Sequence, residues 1–279
     1  QAVQLAAQLD QLGADAAGDG EGGDGVGHGG PLGRVGVVVE YRLGAAPVAH
    51  PPSSSTAATA SAAPSSPAEA LAADLRQARG RAAQLLLELG QVDAAAQLLL
   101  EGQDWPALKN LTLQHAEQLL SQGRGETLVR WVEAMSPEVR DSDPWLAYWV
   151  ANARFASAPA EATLQFERSY RGFRAQSGNS GNTGAFLALA GLMDVLVHDP
   201  NDLHPLDRWI AEAEQLIASC GWSSPEIEAR VTQSLFMAMI LRQPQHPDLY
   251  EWGERTLALM QEGFDPRVDA VWMAEVAEE

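Results

Sequence analysis

Along this sequence helix-capping side chains stand repeatedly directly before prolines, as in Ser66-Pro67, Ser136-Pro137, Asp143-Pro144, Ser224-Pro225 and Asp265-Pro266. Ser and Asp accept hydrogen bonds from the free N–H groups of a first turn, and proline at the first helical position removes an N–H that would have had no partner. Each pair therefore predicts a helix start, and Glu69 adds a capping box to the first. Gly90, Gly102, Gly123, Gly221 and Gly263 mark the predicted stops.

Between these marks the apolar residues keep helical spacing, as in Phe166, Tyr170 and Phe173 or Ile227, Val231, Leu235 and Met239. Helices are expected over 68–89, 91–101, 105–121, 125–135, 144–156, 159–175, 183–198, 204–219, 225–241, 247–262 and from 266 onward. Taken in pairs, first helices open at Pro144, roughly Thr183, Pro225 and Pro266, about 40 residues apart, which is the period of an α-solenoid. One such hairpin cannot bury its apolar face alone, so neighbours must stack, and stacked hairpins curve around a concave surface. The expected fold is all-α, a superhelical array of tetratricopeptide-like hairpins over residues 66–279.

Residues 1–65 are different material. "GDGEGGDGVGHGG" is glycine-rich and acidic, and "APVAHPPSSSTAATASAAPSSP" is a Pro, Ser and Ala tract. Such stretches bury too little to offset their ordering entropy, so a mostly disordered low-complexity linker is expected, with one strand at Val35–Tyr41. The chain begins at Gln1 without Met and stops within the helix-like "VWMAEVAEE", which reads as a fragment whose array is truncated at its C-terminus.

Chemistry is hard to assemble from these residues. Lys109 is the only lysine and follows Leu, so there is no Gly-Lys-Ser or Gly-Lys-Thr of a phosphate-binding loop. No G-x-S-x-G or H-E-x-x-H occurs, and the six histidines are scattered. The acidic glycine run lacks the twelve-residue calcium-loop spacing. No enzyme activity, cofactor or metal is therefore expected.

A net charge of −19 without a basic cluster argues against direct nucleic-acid binding. No apolar run is long enough for a membrane span, and with the single Cys220, read as a small buried residue, a soluble cytoplasmic setting follows. "VHDPNDLHPLDRW" gathers His198, Asp199, Asp202, His204 and Asp207, but Asp beside Pro and acids at a helix start read first as turn and cap residues. The aromatic stretch "DPWLAYW" reads as a packing stripe of Trp145 and Trp149 behind the cap Asp143-Pro144. Tyr148, turned elsewhere on the helix, is a candidate for the concave surface, as are Asp207 and Arg208.

The segment 113–155 carries Ala116-Glu117-Gln118-Leu119-Leu120, Gly123-Arg124, Thr127-Leu128, Trp131, Ser136-Pro137-Glu138 and Asp143-Pro144-Trp145-Leu146. It resembles the MalT-like helical-repeat region of bacterial STAND-class, LuxR-type ATP-dependent transcriptional regulators, and the likeness extends over roughly residues 72–275. That resemblance implies a non-catalytic sensor or interaction region. It would bind a protein or small-molecule inducer and relay it to NTPase and output domains elsewhere in the parent protein. Trp131, Asp143, Pro144, Trp145 and Trp149 would be its structural signature. It also makes Val35–Tyr41 and His50-Pro51 candidates for the remnant of a preceding winged-helix segment, although the family's next helix is replaced here by the Pro, Ser and Ala tract. The alternative is a free-standing tetratricopeptide-type scaffold that binds peptides or proteins.

Overall fold

The computed structural model describes residues 67–176, 178–198 and 202–264. The expected strand at 35–41, the N-cap Ser66, Asp199 and the helix from 266 lie outside them. The described residues are all helical apart from turns, and no strand occurs among them. None of their helices is long and apolar enough to cross a membrane.

The helices are α1 (Pro67–Glu88), α2 (Val92–Gly102), α3 (Trp105–Ser121), α4 (Gly125–Ala134), α5 (Pro137–Arg140), α6 (Pro144–Arg154), α7 (Pro159–Arg174), α8 (Asn179–Val197), α9 (Pro205–Cys220), α10 (Pro225–Arg242) and α11 (Leu249–Gln261). Capping explains several of the starts. Ala107 N–H donates to Asp104 (3.2 Å), Trp145 N–H to Asp143 (3.0 Å) and Ile227 N–H to Ser224 (3.3 Å).

Three boundaries differ from expectation. Ser136-Pro137 opens only the single turn of α5, because Asp143-Pro144 restarts the chain a few residues later. Gly102 remains helical, and Gln103 takes the left-handed turn at φ 51°, the one described non-glycine with positive φ. Helix α8 begins at Asn179, after Gly178 at φ 101°, so Thr183 lies a full turn inside it. Its "NSGN" start has no apolar periodicity to reveal it.

The chain divides into two compact units with a boundary at residues 153 and 154. In the first, α1 packs on α2, α2 on α3 and α3 on α4. The only lysine of the sequence has a structural task there: Lys109 Nζ on α3 donates to the capping carboxylate of Asp143 (3.2 Å), which ties α3 to the start of α6. Arg124 reaches back to Asp93 at the start of α2 (2.5 Å).

In the second unit α8 is the centre. It lies against α7 more extensively than against any other helix, and next against α10. The α7–α8 contact is close because glycines face rings. A Cβ at Gly191 would come within 2.5 Å of the Phe166 ring, and one at Gly184 would overlap Phe173. Phe166 and Phe173 are seven residues apart on α7, as are Gly184 and Gly191 on α8, so two turns of antiparallel helix match ring to gap twice.

Helices α8 and α10 run in the same direction, and side-chain pairs link helices two apart. Thr183 Oγ1 donates to Ser223 Oγ (3.0 Å, 40 residues apart), Arg230 pairs with Asp194 (36 apart), and Tyr170 Oη donates to Glu212 (2.9 Å, 42 apart). A nearly constant offset between partners marks parallel packing; an antiparallel pair would hold the sum constant instead. The helices also alternate in kind. Along α8 every residue from Thr183 to Met193 is buried, and most of α10 is too. Helices α7, α9 and α11 bury one face only, such as Leu206, Trp209, Ile210, Ala213 and Leu216 on α9.

Candidate functional site

The aromatic stretch on α6 forms one packed cluster. The Tyr148 ring meets Trp145 edge-on at 5.4 Å and Trp149 at 5.3 Å. Tyr148 and Trp149 are each 8% exposed, while Trp145 is half-buried. The expectation that Tyr148 offers an accessible contact is therefore corrected: among the three rings Trp145 is the most exposed. Helical angle misleads here because α6 is buried on all sides from Leu146 to Ala151, which leaves no solvent face for Tyr148. Trp131, 2% exposed, lies in the core of α4.

Asp207 and Arg208 occupy the first turn of α9 and do different things. Asp207 receives the Arg242 guanidinium through Nε (3.0 Å) and Nη2 (2.6 Å) and the Gln243 amide (3.1 Å), which ties the start of α9 to the end of α10. The Gln243 hydrogen bond, followed by Arg242, holds its carboxyl below the ordinary aspartate range. Arg208 is exposed and lies 4.3 Å over the buried ring of its neighbour Trp209, a cation–π contact.

The rest of the polar stretch around residues 198–207 does not converge. His198 contacts the Asp194 carbonyl (2.7 Å) and the Phe155 ring, and Asp202 bonds His204 through side chain (2.8 Å) and backbone (2.9 Å). Cys220 is exposed at the end of α9 rather than buried, its thiol donating to the Leu216 carbonyl (3.0 Å). Its position in the last turn, just before Gly221, places it off the buried face of the helix.

Two other groupings were invisible in the sequence. Glu214, His246 and Asp248 bring ligand-type atoms within 4.8 Å of one another. Their hydrogen bonds already assign them: Asp248 N–H donates to His246 Nδ1 (3.3 Å), so the ring proton belongs on Nε2, which faces Glu214 at 3.3 Å. A metal-binding imidazole uses one nitrogen as ligand and donates a proton from the other, the reverse of this arrangement. A shallow cavity of about 430 Å³ opens at the α1–α2 turn, between Gln91, Asp93, His115 and Arg124. Its polar groups pair among themselves, Arg124 with Asp93 and His115 with Gln118 (3.3 Å).

A partly exposed stripe runs along α10 in the second unit. Glu226, Arg230, Gln233, Met237 and Ile240 are half-exposed at spacings of four and three residues, one stripe of the helix. Arg230 anchors it. The guanidinium reaches Asp194 on α8 and Ser234 one turn on (2.5 Å), with only 18% of the side chain exposed. The stripe runs from charged Glu226 and Arg230 through the amide of Gln233 to apolar Met237 and Ile240. No protein-family model, curated protein or solved structure matches the chain.

Proposed function

We propose that the described helices belong to a tetratricopeptide-like repeat array that serves as a sensor and interaction region, binds a protein or small-molecule inducer, and has no chemistry of its own. The reading places this array in a STAND-type ATPase signalling protein or transcriptional regulator of cytoplasmic setting, on the motif resemblance of residues 113–155. The observation that carries the repeat reading is the offset of 36–42 residues between partners on helices two apart. It equals the spacing of the helix-start signals, as expected when each hairpin stacks on the next. Alternation of more deeply buried helices (α8, α10) with helices that bury a single face (α7, α9, α11) supports it further. The inducer surface in this reading is the α10 stripe around Arg230 and Asp194.

Deleting one whole period, residues 183–222, tests the array directly. Nearest-neighbour stacking predicts a shorter chain with unchanged helicity per residue and a cooperative melt, whereas a single irreducible core would unfold. Arg230→Glu should abolish capture of the inducer without loss of helicity, and retained binding would remove the α10 stripe from the reading. A phosphate-binding loop encoded upstream in the same gene supports the regulator, and its absence supports the free-standing scaffold.

A further inference from the structure

Helix α1 leaves three leucines in solvent, and the turn that follows it a fourth. Leu71, Leu75, Leu85 and Leu89 are 70%, 49%, 60% and 71% exposed, while its other face, with Ala83 at 2%, is spent against α2. With Ala78 and Ala82 the outward residues stand at spacings of four, three, four, three and four. That is a heptad seam, Leu75, Ala82 and Leu89 at one core position and Leu71, Ala78 and Leu85 at the other. Packing on α2 does not account for the whole pattern, because at about 100° per residue Leu71, Ala78 and Leu85 stand more than a quarter-turn around the helix from the buried Ala83.

We infer that the seam pairs with α1 of a second copy of this chain, in parallel. In that register leucine meets leucine and alanine meets alanine at every level. The flanking charges choose the direction. A parallel pair places Asp74 of each copy opposite Arg79 of the other, five residues on, the attractive relation of flanking heptad positions. An antiparallel pair would set Asp74 against Glu88 and Arg81 against itself, two repulsive matches. The Arg79 stem lies 3.5 Å from the Cβ site of Gly102.

The seam is short, about 27 Å at 1.5 Å per residue, so the contact falls in the weak, reversible class of interface. The inference stands on α1 alone, whether or not the remaining helices form a repeat array.

Sedimentation equilibrium of the full chain, from about 1 to about 200 µM to bracket a weak interface, tests it. The wild type should shift from monomer to dimer across that range, and the double variant Leu75→Glu/Leu85→Glu should stay monomeric with unchanged circular dichroism. A wild type that is monomeric throughout, or a dimer that survives the glutamates, overturns the inference. In a Cys220→Ser background, Leu71→Cys alone should oxidise to a covalent dimer. A disulfide that forms only on mixing Leu71→Cys with Leu89→Cys chains would overturn the parallel register.

Discussion

Helices α8 and α1 are both long and rich in alanine and leucine, 19 and 22 residues, yet one is the most enclosed helix of its unit and the other displays three leucines to water. Composition separates them in part, since α1 carries six charged residues and α8 one. The rest of the difference lies in the neighbours that the chain brings up. Rings of α7 descend onto the glycines of α8 and α10 lies along its side, whereas among the described helices α2 is the main neighbour of α1. The lesson is that an apolar helix is a demand for partners, and where the described residues stop supplying them the demand passes to another molecule.

The comparison is broken most severely at the ring. Phe166→Ala should cost about 3–5 kcal/mol in chemical denaturation of the full chain, because a fully buried ring leaves a cavity. Gly191→Leu should cost about 1–3 kcal/mol through overpacking. The pair must be non-additive, since the cavity left by Phe166→Ala is the space that the introduced leucine side chain needs. Simple addition of the two losses would deny that the glycine is there to seat the ring.

A smaller effect is read through pH. Burial, reinforced by the hydrogen bond to Glu212, pushes the Tyr170 phenol up to about 12. The neutral phenol is favoured when folded, so its stabilisation is full below the ordinary phenol value of about 10 and is lost as pH rises toward 12. Tyr170→Phe should flatten that alkaline loss of denaturation midpoint. Asp207 works the other way: its lowered carboxyl stabilises above the ordinary aspartate value of about 3.9 and loses its contribution as pH falls below it. Asp207→Asn should be measurably less stable at neutral pH and converge on the wild type in acid. On α1, by contrast, Leu85→Glu should change the stability of the monomer by no more than about 0.5 kcal/mol. A larger loss would mean that α1 is a core helix after all.

Much of the fold was legible because its signals are local. Asp143-Pro144, Ser224-Pro225 and the positive-φ stops at Gly90 and Gly123 act within a few residues, and the helices fall where those pairs predict. Phe166, Tyr170 and Phe173 share a buried face because three- and four-residue spacing is a property of one helix. The candidate contacts were far less legible. Tyr148 was assigned outward by its angle on an isolated helix, but α6 has no outward side. The Asp194–Arg230 and Asp207–Arg242 pairs join residues 36 and 35 apart, and no local pattern distinguishes an arginine that will find such a partner from one that will remain in solvent.

Sequence alone determined that the described residues are built from helices and where most of these begin and end, because capping, proline geometry and glycine freedom are settled within a single turn. Tertiary structure alone decided which helices became enclosed, that the lone lysine would brace a cap, and that the leucines of α1 would face outward. Those outcomes depend on which surfaces meet across dozens of residues, and burial is a property of the assembled neighbours rather than of any one stretch of chain.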